Sequence, residues 1–205
     1  TYKFTSYELV DLPGTYSLLA SSEEERVARD YLCFENYDCV VCVVDATNLE
    51  RNLNLVLQVL ELTDKVVLLL NLCDEAKKKN IEIDTSVLSE SLGIPVVRAT
   101  ARSGRGINEL LEVSHQIAND TLTNESATMY YANTIEDAVR QVSKGLKCEL
   151  ETDKKLRFFA LRLLENDDSF NQSFKNNFSG EILQNGNIRA KLNSAKNKLS
   201  SFGVN

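Results

Sequence analysis

Little in these 205 residues suits a membrane span, a nucleic acid or a disulfide framework. No run approaches the roughly 18 to 20 consecutive apolar residues that a membrane-crossing helix needs. The best candidate, residues 66–70, is strand-length and ends at Asn71. No cationic stretch followed by an apolar one marks a secretory signal. With 23 Lys and Arg against 30 Asp and Glu, the net charge of −7 argues against a nucleic-acid partner, which would be met by a basic stripe. The five cysteines, at 33, 39, 42, 73 and 148, are too few to staple a chain of this size and read as free thiols of a reducing compartment. Cys39 and Cys42 have C-x-x-C spacing, but on a strand they point to opposite faces. The single histidine, His115, has no metal-ligand partners and reads as a surface helix residue.

What is present is ordinary globular material, 43% apolar and 26% charged, in a regular order. Residues 7–11 read as a strand ending at a Pro-Gly turn. Ser21 and Ser22, followed by three glutamates, read as a capped helix start. Residues 38–45 and 65–71 read as further strands, apolar as in a parallel sheet covered on both faces, and 94–99 as a fourth strand. Between and after them come helices: one capped by Thr47 or Asn48, one over 86–92 closed by Gly93, and one over 106–118. The alternation predicts an open parallel sheet flanked by helices. After Asn119 the pattern changes. Residues 120–127 read as a linker, and beyond them only helices are predicted, over 134–146, 153–164 and one or two between 170 and 199.

Three of the predicted strands end in short motifs that together match a guanine-nucleotide pattern. Asp11-Leu12-Pro13-Gly14 is a D-x-x-G, Asn71-Leu72-Cys73-Asp74 is an N-x-x-D, and Thr100-Ala101-Arg102 is similar to an S/T-A-K/R turn. Each alone is weak. Their order and their place at strand ends, where open parallel sheets bind ligands, make them specific together. Guanine carries two donors on one edge, N1–H and the 2-amino group. One ionised carboxylate accepts both, and Asp74 is assigned that role. Adenine has no such pair and would leave the carboxylate desolvated and unpaired. Asn71 would brace the loop and contact the base, while the Ala101 N–H would donate to guanine O6. Asp11 would hold Mg²⁺ through water, and the Gly14 N–H would touch the γ-phosphate, where a glycine lets the backbone come close. The bland alternatives are a strand-end turn at Asp11 and Gly14, a helix cap at Asn71 and Asp74, and a plain loop at Thr100, Ala101 and Arg102.

The sequence resembles the FeoB-type ferrous iron transport GTPases more closely than GTPases at large. Residues 10–18 (V-D-L-P-G-T-Y-S-L) with 22–32 resemble that family's second switch. Residues 44–53 (V-D-A-T-N-L-E-R-N-L) are similar to its most recognisable stretch, and 156–165 resemble its helical domain. The resemblance covers residues 7–168. It implies an α/β fold of the P-loop NTPase type, a mostly parallel sheet with helices on both faces, over 1–119. A small all-α domain over 128–205 would come after it. It implies GTP or GDP with Mg²⁺ as cofactors, GTP hydrolysis tied to Fe²⁺ passage in the parent protein, and a membrane transport domain in the same parent chain. The place implied is the cytoplasmic side of the bacterial inner membrane, with a homo-oligomer left open.

One family part is missing from these residues: no G-x-x-x-x-G-K-[ST] occurs, so the amides, lysine and hydroxyl that bind phosphates and Mg²⁺ have no counterpart. The chain opens at Thr1 within a strand-like segment, and is expected to be a fragment without that loop and its strand. The neighbours of that strand should then show unpaired edges. Thr15 stands where many GTPases carry a water-orienting glutamine, and no catalytic base is assigned. Alone the fragment is expected to be inactive. Two rival readings are another cytosolic bacterial GTPase and a non-hydrolysing interaction module derived from one.

Overall fold

An apolar run without polar alternation is stable as a strand only when both sheet faces are covered. That is the state of β2 (Val66–Asn71), whose first five residues are all buried. The computed structural model describes residues 1–19, 22–150, 153–178 and 182–202, in two compact units, Thr1–Thr128 and Met129–Asn205. In the first unit β2 lies between β1 (Val40–Asp45) and β3 (Val96–Arg98), both parallel to it. The helices are α1 (Glu23–Phe34), α2 (Leu49–Leu60), the short α3 (Cys73–Lys78), α4 (Thr85–Leu92) and α5 (Ile107–Ala118).

Strand alternation divides the core. Val67 and Leu69, with Val97 and Ala99, pack on Ile117 of α5, and Leu110 and Val113 close round them. Leu68 and Leu70 face the other way and are equally buried, and α2 packs against β1 and β2. Local chemistry sets the helix ends. The Ser22 hydroxyl accepts from the Glu25 N–H at 3.2 Å, and the Asp84 carboxylate accepts from the Ser86 and Val87 N–H groups at the start of α4. Ser21 lies outside the described residues. Gly93 ends α4 in the left-handed region at φ 66°. Cys39 packs on the α5 side whereas Cys42 is buried in the strand, and burial pushes the Cys42 thiol up to about 12.

The strand expected at residues 7–11 does not form. A strand is a paired object, and an extended segment without a neighbour makes no ladder. Leu9 is 91% exposed, and Val43 of β1, an outer strand of the described sheet, is 58% exposed. The segment is instead tethered at its start. The Tyr2 hydroxyl donates to Glu112 at 2.8 Å, Lys3 pairs with the same carboxylate, and the Tyr7 hydroxyl meets His115 Nδ1. His115 is therefore half-buried under Tyr2 and Tyr7 rather than free at the surface. Residues 120–127 are likewise fastened down: Asn124 Nδ2 donates to the carbonyls of Asp64 and Val66, and the Ala127 N–H to Leu92 O.

The second unit contains α6 (Asn133–Leu146), α7 (Asp153–Leu164), α8 (Asp168–Asn177) and α9 (Gly186–Ser201), so the stretch from 170 to 199 holds parts of two helices. Phe159, Phe170 and Phe174 are fully buried, with the Phe159 and Phe174 rings edge to face at 5.5 Å. Removing one such ring costs about 3–5 kcal/mol. α9 packs on α6 beside Gly145, where an added Cβ would sit 3.2 Å from the flexible Lys191 side chain and 3.8 Å from Ile188 Cα.

Arg157 of α7 grips Glu136 of α6 with two nitrogens at 2.7 and 2.9 Å and reaches the Met129 carbonyl at 2.6 Å. Burial pushes the Glu136 carboxyl up, but Arg157 and the Tyr131 N–H outweigh it and hold the group below its ordinary value. A depressed carboxyl gives stability that is complete above its unfolded pKa and lost as pH falls through the folded one. Acid titration from pH 6 downward is therefore expected to loosen the α6–α7 contact below about pH 4.3. The Glu136→Gln variant should flatten that dependence, read by amide exchange of α6. An identical acid profile in the variant would remove Glu136 from the account.

Candidate functional site

The carboxyl ends of β2 and β3 bring together two loops from distant parts of the sequence. Leu72 takes a left-handed conformation at φ 60°, so the chain turns from β2 into α3 within one residue. Asp74 thereby falls in the first turn of α3, with its side chain exposed. After β3, Thr100 is buried and residues Ala101–Ser103 form a 3₁₀ turn. Gly106 holds that turn against the strand: at φ 85°, a Cβ would lie 2.2 Å from the Arg98 carbonyl oxygen.

Three hydrogen bonds join the loops. The Ala99 N–H donates to Leu70 O at 2.8 Å and the Cys73 N–H to Ala99 O at 3.1 Å. The Ala101 N–H donates to Asn71 Oδ1 at 3.0 Å, across thirty residues of sequence. Thr100 is fixed by its N–H to Arg105 O at 3.1 Å, and its own carbonyl accepts from the Ser103 N–H and hydroxyl. Cys73 donates its thiol to Leu70 O at 3.1 Å. Arg102 is exposed on the rim. Asn71, Asp74, Thr100, Ala101 and Arg102 thus share one corner of the unit.

Asp11 and Gly14 are not tied to that corner. Both are exposed, and among the described residues the Asp11 side chain has no hydrogen-bond or ion-pair partner. The residues just beyond Gly14 are pinned to α2, with the Leu18 N–H on Gln58 Oε1 at 2.6 Å and the Tyr16 ring 4.1 Å from the Arg51 guanidinium. A carboxylate on an unpaired segment is not held toward a phosphate. Among the described residues no three ligating side chains cluster, and Asp11 offers one carboxylate by itself, so a Mg²⁺ there would draw its other ligands from water and phosphate. Magnesium takes oxygen ligands in strict octahedral geometry, mostly from water and phosphate.

The corner can do one kind of chemistry well. It presents an exposed carboxylate, a braced carboxamide and a backbone amide together at the strand ends. The Ala101 amide, expected to point at a base carbonyl, is spent on Asn71 in this structure, so a base would have to share or displace that bond. Asp45, in the 44–53 stretch, is the register partner of Asn71 at the end of β1.

Comparison with known proteins gives a consistent neighbourhood. Residues 1–114 match the family described as "Ferrous iron transport protein B", and residues 131–201 the one described as "FeoB cytosolic helical domain". The Fe(2+) transporter FeoB of Campylobacter jejuni is 50% identical over 111 residues, 54% of this chain and 18% of that protein. The Fe(2+) transporter FeoB of Salmonella typhimurium is 36% identical over 182 residues, 86% of this chain and 22% of that protein. A crystal structure of an S. thermophilus NFeoB mutant bound to GDP superposes with a TM-score of 0.78 at 30% identity, covering 94% of this chain and 71% of that one. The chain thus spans about a fifth of the length of the curated relatives it matches.

Proposed function

The chain belongs to the FeoB family of ferrous iron transport proteins, and on that footing we propose that its first unit reads the base of a guanine nucleotide. The observation that supports this reading is the 3.0 Å bond from the Ala101 N–H to Asn71 Oδ1, which ties together the loops after β2 and β3, the first of which leads into Asp74. Asp74 accepts guanine N1–H and the 2-amino group, Asn71 braces the loop and touches the base, and Thr100 and Arg102 shape the rim of the site. The Ala101 amide turns to guanine O6 when a base enters. The GDP of the S. thermophilus structure supports the ligand class.

Phosphate recognition belongs to the whole protein, together with GTP hydrolysis, Fe²⁺ passage through a membrane domain and a place at the cytoplasmic face of the inner membrane. Asp11, through water, and the Gly14 N–H are the groups this chain would add there once the segment carrying them is paired. No catalytic base is assigned.

A titration of the labelled 205-residue chain with GDP and with ADP, followed by amide chemical shifts, tests the reading. GDP is expected to move the amides of residues 71–74 and 100–102 at millimolar concentration, and ADP to leave them in place. Calorimetry should show no micromolar GDP binding, because the phosphate-cradling amides and lysine are not among these residues. Equal shifts with both nucleotides would refute base reading; micromolar affinity would refute the division between base and phosphate.

A further inference from the structure

We propose that Asp45 is a positioning residue for the 71–74 loop, acting through the turn it closes between β1 and α2; this rests on the reading of that loop as the guanine site. Its carboxylate accepts from the Thr47 N–H at 2.7 Å and from Asn48 Nδ2 at 3.0 Å, and its carbonyl from the Asn48 N–H at 3.0 Å. Asn48 stands at the N-cap of α2 but its side chain caps nothing there; it is turned back to Asp45.

The closed turn aims one donor. The Ala46 N–H, in a residue only 1% exposed, donates to Asn71 O at 2.9 Å. Asn71 is then held on both sides: its carbonyl by Ala46 from β1, its side-chain oxygen by Ala101 from beyond β3. A rotation of the Asn71 peptide would break the first bond and swing the second acceptor away. Burial pushes the Asp45 carboxyl up, but the Thr47 and Asn48 hydrogen bonds, with a smaller pull from the Lys79 charge, hold it below its ordinary value. One carboxylate therefore steadies the entry of the base-reading loop through Ala46. A carboxylate suits the turn because it accepts from two donors at once.

Amide hydrogen exchange and nucleotide titration of the 205-residue chain and its variants test this. Asp45→Ala is expected to speed exchange at Ala46 and Ala101 by about tenfold, while the Leu68 and Val97 amides in the sheet core keep their protection. It should also shrink the difference between GDP and ADP shifts at residues 71–74. Asp45→Asn, which keeps an acceptor for the Thr47 N–H, should restore part of both. If Asp45→Ala also releases the core amides, Asn48→Ala decides instead: it removes only the second partner of the carboxylate and should still speed exchange at Ala101. Unchanged exchange at Ala101 in the folded variants overturns the proposal. Asp74→Ala separates the two failures: if it leaves the GDP–ADP difference intact, the base reading is wrong, while exchange at Ala101 still judges Asp45.

Discussion

Asparagine in place of Asp74 is expected to abolish the preference of the chain for guanine over adenine and to transfer it to xanthine. Both donors of the guanine edge need acceptors, and a carboxylate has only acceptors to offer. In the Asp74→Asn variant one oxygen becomes an NH₂ group, so a donor faces the guanine 2-amino group and that pair is lost. Xanthine carries N1–H beside a C2 carbonyl, a donor beside an acceptor, and the carboxamide matches it in one orientation. Hydrogen bonds to a charged group contribute about 1.5–3 kcal/mol. At 1.4 kcal/mol per tenfold, losing one weakens GDP binding by roughly tenfold to a hundredfold. The fold should not notice. Asp74 is exposed, and a surface change away from special features alters stability by about 0.5 kcal/mol at most. Titrations of both chains with GDP and xanthosine diphosphate, read at the amides of residues 71–74, measure the exchange of preference. Weakening toward both nucleotides alike would make Asp74 a prop of the loop and not its reader.

The apolar runs announced the three parallel strands, because a buried strand in such a sheet must be apolar on both faces. The loops at their ends stood out for a related reason: Asp74, Asn71 and Ala101 supply the carboxylate, the carboxamide and the small residue that a guanine base would call for. The direction of each bond was not. Nothing in Asn71 or Ala101 as letters says that the amide of one serves the oxygen of the other when no base is present. Residues 7–11 carry strand composition but no strand, since pairing depends on a neighbour and not on the segment. Residues 120–127 look like a linker by polarity, yet Asn124 holds two backbone carbonyls at the foot of β2. Asp45 looked like the last letter of an apolar run; its partners are local, but its consequence at Asn71 exists only once two strands lie side by side.

Gly93→Ala is expected to be among the most damaging single-methyl additions in the first unit, at about 3–5 kcal/mol. Two costs combine. At φ 66° an alanine pays roughly 1 kcal/mol for the left-handed conformation. The larger cost is collision: the new Cβ would fall 1.9 Å from the Glu125 carbonyl oxygen and 2.8 Å from its carbon. Both are backbone atoms, so no rotamer change relieves the contact. Relief means lifting the 124–127 segment, and with it the Asn124 bonds to Asp64 O and Val66 O and the Ala127 bond to Leu92 O. Gly104 separates the two costs. Its φ is 73° but no atom lies within 4 Å of its missing Cβ, so Gly104→Ala should lose only the conformational part. The buried thiols of Cys33 and Cys42 report the outcome, because they react with a thiol reagent only when the first unit opens. The urea concentration that exposes them should fall sharply for Gly93→Ala and slightly for Gly104→Ala. Equal shifts would mean that the 124–127 segment yields without resistance, and that it covers the foot of the sheet without holding it.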